Sequence, residues 1–379
     1  MRALLAGARD EQPQLLRFLR TLVECESPSH EKAAVDACLD LLEERLLWLD
    51  GRMKQHSRKA TGNLLEARFG PRKTAKNSVR RVLLLGHADT VWPLGTLKAM
   101  PWREQDGKIF GPGVLDMKAG LAMAVTAIEL LLETGLAATE IVLLISGDEE
   151  TGSHSSRAII EKTASECDAV LVLEPAQGPA LKTARKGVGH FHLKVEGVAA
   201  HAGVDFTRGH SAILELARQI ERLSTWSDEK RGITVNAGVL RGGTASNVVA
   251  AEASAEIDLR IVKASDGTRM EKRFRALKPF DRHCKLTIEG EINRPPMERK
   301  RGTVRLYQQA RTLAAEMGLA LQEASTGGGS DGNFTAALGV PTLDGLGGVG
   351  EGAHAAHEQI VAAELAPRTA LLAALIAKI

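Results

Sequence analysis

The chain has 379 residues, and its 49 Lys and Arg side chains nearly balance its 47 Asp and Glu side chains, for a formal net charge of +2. This balance excludes the basic field on which nucleic-acid binding depends, and an aromatic content of 3% argues against stacking platforms for bases or sugars. The composition, 44% hydrophobic and 25% charged, is that of a soluble globular protein. Because the length exceeds the roughly 250–300 residues at which one core stops growing, we expect two domains.

The cysteines, Cys25, Cys38, Cys167 and Cys284, stand far apart and form no CxxC pair, so a disulfide framework is not expected. The longest apolar runs fall far short of the roughly 18 residues that span a bilayer. The N-terminal apolar stretch is short for the h-region of a signal peptide. We therefore expect a cytoplasmic protein with no membrane partner.

The first part of the chain alternates helical patterns with short apolar runs. Residues 13–24 and 31–47 carry apolar side chains at helical spacing, and 117–135 is predicted to be one long helix that ends at Gly135. Three continuous apolar runs, in RVLLLGHADT, IVLLISGDEE and AVLVLEPAQ, are typical of parallel strands buried on both faces. This order predicts an α/β domain in which helices flank a mostly parallel sheet.

Further along the chain the pattern changes to alternation. The segments GVGHFHLKVEG, GITVNAGVL, SAEIDLRIV and KLTIEG alternate apolar and polar residues, as half-exposed antiparallel strands do. Helical stretches at 210–226 and 267–278 separate them in the order strand, helix, strand, strand, helix, strand, which is the ferredoxin-like arrangement. We therefore predict a small α+β domain at 179–292, inserted into a larger α/β domain formed by 1–178 and 293–379.

Each predicted parallel strand is followed by side chains of the kind that bind metals. In chain order these are His87, Asp89, Asp148, Glu149, Glu150 and Glu174. Ligands bind at the carboxyl ends of the strands in open α/β sheets, and such a cluster would repel itself unless cations neutralised it. After any one strand, an acidic residue is explained equally well as the N-cap of the following helix. The presence of such residues after all three strands favours the metal site.

Two further segments offer candidate ligands. Asp116, in GPGVLDMKAG, precedes the long predicted helix, where an N-cap fits equally well in isolation. The Gly-rich GLGGVGEGAHAAHE contains His354 and His357, and glycines let a backbone pass close to a ligand. A single histidine in such a loop is nevertheless more often a surface or core residue than a ligand.

The motifs of the chain occur in the order found in the co-catalytic zinc peptidases and amidohydrolases, which the sequence resembles from about residue 25 to 375. They are HADTVWPLGT, GPGVLDMKAG, SGDEETGS, VLEP, HAG, GGTASN, GGGSDGNF and GAHAAHE. That family includes glutamate carboxypeptidase of the carboxypeptidase G type, acetylornithine deacetylase, succinyl-diaminopimelate desuccinylase and aminoacylase. The resemblance implies a catalytic di-metal domain and an inserted lid domain through which members commonly form homodimers.

The resemblance also implies a ligand set for two zinc ions. Asp116 would bridge the ions, His87 and Glu174 would complete one site, and Glu150 and His354 would complete the other. Two Zn²⁺, three carboxylates and a bridging hydroxide sum to a neutral site, which a buried cleft tolerates. Co²⁺ or Mn²⁺ could replace zinc at such nitrogen and oxygen ligands.

Two carboxylates would carry catalysis according to the same resemblance. Glu149 looks like the general base that serves the zinc-bridging hydroxide, with a third ligand or an N-cap as the alternative. Asp89 looks like the carboxylate that holds the imidazole N–H of His87 and fixes its tautomer, with a turn residue as the alternative.

The inserted domain offers candidate substrate-binding residues. His201 and Asn247 resemble donors to the scissile carbonyl oxygen, and in dimeric members the histidine comes from the partner subunit. Arg260 resembles the anchor for a free substrate carboxylate, with a solvated strand residue as the alternative, and Gly328 offers a backbone contact or a structural turn. Arg185 and Lys186 could serve acidic substrates, but they are interpreted as a surface pair.

The implied activity is hydrolysis of the amide bond next to a free carboxylate, in a peptide or an N-acyl amino acid. The alternative is a deacylase of the acetylornithine deacetylase or succinyl-diaminopimelate desuccinylase type. A non-catalytic binding protein with an inherited fold is a remote alternative, because Glu149 and the implied metal ligands are all present.

Overall fold

The computed structural model describes residues 1–72 and 79–379. The chain forms two compact units. The larger contains 1–184, 299–325 and 330–379, and the smaller contains 185–298 and 326–329. Within the described ranges, every helix is too short or too polar to cross a bilayer.

The described residues form helices and strands that we number in chain order. The helices are α1 (Arg2–Asp10), α2 (Gln12–Glu24), α3 (Lys32–Leu47), α4 (Ala119–Glu133), α5 (Arg157–Ser165), α6 (Ala212–Ser224), α7 (Ala264–Arg275), α8 (Arg301–Glu316), α9 (Gly332–Ala337) and α10 (Ala362–Lys378). The strands are β1 (Arg52–His56), β2 (Leu64–Phe69), β3 (Arg81–His87), β4 (Arg103–Gln105), β5 (Lys108–Phe110), β6 (Glu140–Ser146), β7 (Ala169–Val172), β8 (Ala180–Arg185), β9 (Gly187–Glu196), β10 (Thr234–Gly242), β11 (Glu252–Ile261), β12 (Lys285–Arg294), β13 (Gln322–Thr326), β14 (Thr342–Leu343), β15 (Gly350–Glu351) and β16 (Gln359–Val361).

The main sheet of the larger unit has the strand order β1-β2-β6-β3-β7-β14. Strands β6, β3, β7 and β14 are parallel to one another, whereas β2 pairs antiparallel with β6 and the edge strand β1 pairs antiparallel with β2. The three apolar runs recognised in the sequence are β3, β6 and β7, which confirms the predicted mostly parallel α/β sheet. Because parallel strands point the same way, their carboxyl ends lie at the same edge.

Both faces of this sheet are buried, since consecutive strand residues enter different hydrophobic clusters. Leu84 and Leu143 belong to the cluster that contains α1, α2, α3, α4, α8 and α10. Leu83 and Leu144 belong to the cluster that contains Ile160 of α5. Burial on both sides explains why these strands have continuous apolar sequences rather than alternating ones.

The smaller unit is the ferredoxin-like α+β fold that the alternating segments predict. Its antiparallel sheet has the order β10-β11-β9-β12. Helices α6 and α7 supply the apolar residues that pack against one face, where the rings of Phe191 and Phe274 stack 4.0 Å apart. The opposite face carries exposed polar residues such as His190 and Glu256.

Candidate metal centre

The site lies at the carboxyl edge of the main sheet. His87 is the last residue of β3, Glu149 and Glu150 follow β6, and Glu174 follows β7. Parallel pairing of β3 with both β6 and β7 brings these four side chains to one place, as the sequence predicts. The elements that deliver Asp116 and His354 are loops, one before α4 and the other between β15 and β16.

His87 presents one ring nitrogen to the acidic side chains. Its imidazole is buried, and Nδ1 lies 2.9 Å from the backbone carbonyl oxygen of Asp89, to which it can donate. Its Nε2 then faces Oδ1 of Asp116 at 3.3 Å and Oε1 of Glu174 at 3.6 Å. This arrangement leaves Nε2 as the nitrogen that could bind a metal.

Asp116 lies between two groups of candidate ligands. While its Oδ1 faces His87, its Oδ2 lies 3.4 Å from Nε2 of His354. The same histidine nitrogen lies 3.3 Å from Oε1 of Glu150. Each oxygen of Asp116 therefore belongs to a different set of donors, which is the arrangement of a bridging carboxylate.

The donor atoms fit divalent cations. In the part of the chain that the structure describes, His87 Nε2, Asp116 Oδ1 and Glu150 Oε1 are buried without a hydrogen-bond partner. The ligand atoms of these three residues lie within 4.8 Å of one another, and so do those of His87, Glu149 and Glu174. Imidazole nitrogen and carboxylate oxygen are ligands that Zn²⁺, Co²⁺ and Mn²⁺ accept.

The pKa values of the clustered side chains are shifted by burial and by the close approach of carboxylates and imidazoles. Burial alone would lower the pKa of His87, but interaction with Asp116 and Asp89 raises that pKa well above its ordinary value. Interaction with Asp116 and Glu150 raises the pKa of His354 to about 10. Burial raises the pKa of Glu150. The carboxylates thus favour positive charge beside them, which divalent cations also supply.

Asp89 contacts the turn that carries Glu149 and Glu150. Its fully buried carboxylate accepts hydrogen bonds from the backbone N–H groups of Glu149 and Glu150, both at 3.1 Å, and from the hydroxyl of Ser29 at 2.7 Å. The carboxylate Oδ1 is 3.5 Å from Nδ1 of His87, farther than the Asp89 carbonyl oxygen. Through its backbone and its side chain, Asp89 therefore contacts two ligand-bearing segments.

The predicted substrate-binding residues all belong to the smaller unit. His201 and Asn247 are exposed neighbours, because the N–H of Ala202 donates to the carbonyl of Asn247 at 2.9 Å. Arg260 donates to both oxygens of Asp258 at 2.8 to 3.1 Å and to the carbonyl of Gly327 at 3.4 Å. Its guanidinium is thus held beside the loop that contains Gly328.

The interpretation of Arg185 as a surface residue is wrong. Its side chain is buried, and Nη1 donates to the carbonyls of Gly328 at 3.2 Å and Gly329 at 3.0 Å. The Gly-rich loop is distant in sequence from Arg185, so the neighbouring residues give no sign of this burial.

Sequence reasoning also missed Glu358 and Asp331, which contact the ligand-bearing loops. Glu358 is buried and accepts hydrogen bonds from the backbone N–H groups of 113, 115 and 116 and from the indole N–H of Trp92. Asp331 accepts hydrogen bonds from Ser146 at the end of β6 and from Ser153. The available signal for the first was its place in the GAHAAHE motif, four residues after His354.

Comparison with known proteins assigns the family. The model for peptidase family M20/M25/M40 matches residues 83–378, which is most of the chain. The chain belongs to this family. It is therefore a metal-dependent hydrolase of the M20 group, which confirms the resemblance seen in its motifs.

Individual M20 relatives are similar over most of their length. Carboxypeptidase G2 of Pseudomonas sp. strain RS-16 is 29% identical over 98% of this chain and 90% of its own. Succinyl-diaminopimelate desuccinylase of Delftia acidovorans is 30% identical over 78% of this chain and 81% of its own. The solved YXEP protein of Bacillus subtilis, described as a dinuclear metal-binding peptidase of the M20 family, has a TM-score of 0.70 at 14% identity and 98% coverage of both chains.

Proposed function

We propose that this M20 hydrolase cleaves the amide bond next to a free carboxylate, in a peptide or an N-acyl amino acid, as a glutamate carboxypeptidase does. The observation that carries the proposal is the position of Asp116 between two sets of donors, 3.3 Å from His87 and 3.4 Å from His354. The similarity to carboxypeptidase G2 over 98% of the chain supports this substrate class.

We propose two zinc ions as the resident metals. His87, Glu174 and one oxygen of Asp116 would hold the first, and Glu150, His354 and the other oxygen of Asp116 would hold the second. Bound there, the ions supply Lewis-acid polarisation of the scissile carbonyl and a lowered pKa for water. The description of the B. subtilis neighbour as dinuclear supports the number of ions.

Glu149 is proposed as the general base and acid. Its carboxylate belongs to the same cluster as His87 and Glu174, and its backbone N–H is held by Asp89 at 3.1 Å. It would take a proton from the attacking water and return it to the leaving nitrogen, so that one carboxylate serves both steps. Asp89 would keep this turn in place and, through its carbonyl, keep Nε2 of His87 directed at the metal.

The smaller unit would bind the substrate. We propose that Arg260 pairs with the free carboxylate, since a planar guanidinium held by Asp258 needs little reorganisation to do so. Gly328 would add a backbone contact. His201 and Asn247 would donate to the carbonyl oxygen on which negative charge develops.

We propose that the enzyme is a cytoplasmic homodimer formed through the smaller unit. Strand β10 is at the edge of its sheet, and Leu240 on this strand is 57% exposed. Leu214 of α6 is 53% exposed, and Ile213 lies against Gly242 of β10. An open strand edge beside exposed apolar side chains favours pairing with a second copy. His201 of the partner subunit would then serve each active site.

A desuccinylase or deacetylase is the second candidate, favoured by the similarity to the Delftia enzyme. It would use the same metal and proton chemistry on a different acyl group. The substrates of the two candidates differ in the acyl group that is removed and in the amino acid that is released.

A hydrolysis screen with zinc-loaded protein separates them. We expect turnover of N-acyl and peptidyl glutamates, weaker turnover of N-acetylornithine and N-succinyl-diaminopimelate, and no turnover of the corresponding amides that lack a free carboxylate. Glu149→Ala should lower kcat by about 10²–10⁴-fold while the protein still binds zinc. Near wild-type activity of that variant would refute the assigned base.

A further inference from the structure

Glu358 is a buried carboxylate whose role is not explained by metal binding or proton transfer. Its side chain lies in the loop that follows His354, only 1% of the residue is exposed, and both oxygens are fully engaged. Oε1 accepts from the N–H groups of Leu115 at 2.9 Å and Asp116 at 3.0 Å. Oε2 accepts from the N–H of Gly113 and the indole of Trp92, both at 2.8 Å.

These contacts fix the start of a single wide helical turn (Val114–Lys118) whose backbone is irregular. Gly113 has a positive φ of 70°, and Asp116 has φ −113° and ψ 93°, so neither residue is helical. The side chains of Val114, Leu115 and Met117 anchor this segment in the core. Its backbone is held by hydrogen bonds, and bonds to a carboxylate are about twice as strong as bonds between neutral groups. Glu358 therefore fixes the backbone N–H of Asp116 itself, between residues that are packed in the core.

The same residue also determines the position of the loop that carries His354. The N–H of Glu358 donates to the carbonyl of Ala355 at 2.8 Å, and the N–H of Ala355 donates to Gly352 at 2.8 Å. His354 lies inside this turn with a φ of +63° and a side chain that is 51% exposed, so few packing contacts hold it. Glu358 joins this turn directly to the segment of Asp116.

We propose that Glu358 is a positioning residue that sets the distance between Asp116 and His354 and thereby the affinity of the site for its second metal ion. This inference rests on the proposed two-metal function. Without the carboxylate, four donors lose their acceptor and the two loops lose their direct connection. The distance between Asp116 and His354 then varies, and the two side chains bind their common ion less tightly.

The test compares Glu358→Gln with the matched control Glu215→Gln. Glu215 is also 1% exposed, and its carboxylate accepts from the backbone N–H groups of Phe280 and Asp281. It lies in α6 of the smaller unit. Each change replaces a buried carboxylate with an amide at a backbone-binding position, so both variants should lower the melting temperature of the metal-free protein.

The readout is zinc affinity, measured by competition with a chromophoric chelator, together with zinc content. We expect Glu358→Gln to weaken the binding of one of the two zinc ions by at least about tenfold, within the range seen for outer partners of metal ligands, and to lower kcat at limiting zinc. Added zinc should restore part of kcat and leave KM unchanged. Glu215→Gln should bind both ions with wild-type affinity.

Each result is decisive. Two zinc ions bound to Glu358→Gln with wild-type affinity would overturn the positioning role and leave the proposed function intact. Fewer than two ions bound to the wild-type protein would overturn both. If Glu358→Gln does not fold, Trp92→Phe removes one of the four donors, and an unchanged zinc affinity in that variant would overturn the inference.

Discussion

Single carboxylates near the metal centre act on backbone rather than on metal. Asp89 and Glu358 lie in different parts of the chain, yet each accepts backbone N–H groups from a turn that bears a candidate ligand. A ligand set assembled from loops needs such supports, because loops have no hydrogen-bond ladder of their own. Of these two residues, Asp89 was predicted from the sequence, whereas Glu358 was missed because its backbone partners are distant along the chain.

At this scale we predict the effect of Asp89→Asn. The amide keeps the size of the side chain but turns one donor group towards the N–H of Glu149 or Glu150, which costs about 1–3 kcal/mol. We expect kcat to fall about 10–100-fold with KM nearly unchanged, as measured by steady-state kinetics on metal-saturated protein. Ser29→Ala, which removes one of the donors to Asp89, should lower kcat only a few-fold. Equal effects of the two variants would contradict the role assigned to Asp89.

Among the elements, α4 carries a close contact that the site depends on. A Cβ on Gly120, in the first turn of this helix, would lie 2.0 Å from the carbonyl oxygen of Leu173. That carbonyl immediately precedes Glu174, so the helix and the ligand-bearing strand end approach each other through backbone. A side chain at this position must move one of them.

We therefore expect Gly120→Ala to lower the free energy of unfolding by about 3 kcal/mol or more, and to weaken zinc binding. Gly135→Ala is the control, because Gly135 has open space around it and only its positive φ of 66° opposes a side chain. This change should lower the free energy of unfolding by roughly 1–2 kcal/mol without changing zinc affinity. Urea unfolding of metal-free protein measures the first effect and chelator competition the second. A Gly120→Ala protein as stable as Gly135→Ala would show that the contact relaxes freely.

The contacts of Glu66 in the strand pair β1–β2 make a pH-dependent contribution to the free energy of unfolding. Burial alone would raise the pKa of Glu66, but hydrogen bonds with His56 at 2.9 Å and Arg68 at 2.6 Å outweigh it and hold the pKa below its ordinary value. A carboxylate whose pKa is lower in the folded state stabilises the protein at pH values above its unfolded-state pKa. This stabilisation is lost as the pH falls through the folded-state pKa. We expect the difference in unfolding free energy between wild type and Glu66→Gln to shrink from pH 7 to pH 3. A difference that grows in acid would refute this.

The elements and the site differ in how far sequence predicts them. The three central strands were predicted because burial on both faces leaves continuous apolar runs, and their parallel order then brings His87, Glu149 and Glu174 together. Helix α10 was not predicted, because it is apolar on nearly every side and contains Pro367, so it has no amphipathic period. The contacts of Glu358 join segments that lie 242 to 245 residues apart, and no local pattern encodes them.

The whole molecule is proposed to be a dimer through the edge of the smaller sheet. We expect light scattering to give about twice the chain mass of 40.6 kDa for the wild type. Leu240→Asp should give the monomer mass, because a charge at the edge strand opposes pairing. Leu136→Asp, at a site of the larger unit that is 45% exposed, should remain dimeric. A monomeric wild type would remove His201 as a residue acting across subunits.

The proposed two-metal centre requires that Asp116 hold one ion with each carboxylate oxygen. Anomalous diffraction at the zinc edge, from crystals of the zinc-loaded protein, tests this directly. We predict two peaks, one among His87, Glu174 and Asp116 and the other among Asp116, Glu150 and His354. A single peak, or peaks that Asp116 does not contact, would contradict it.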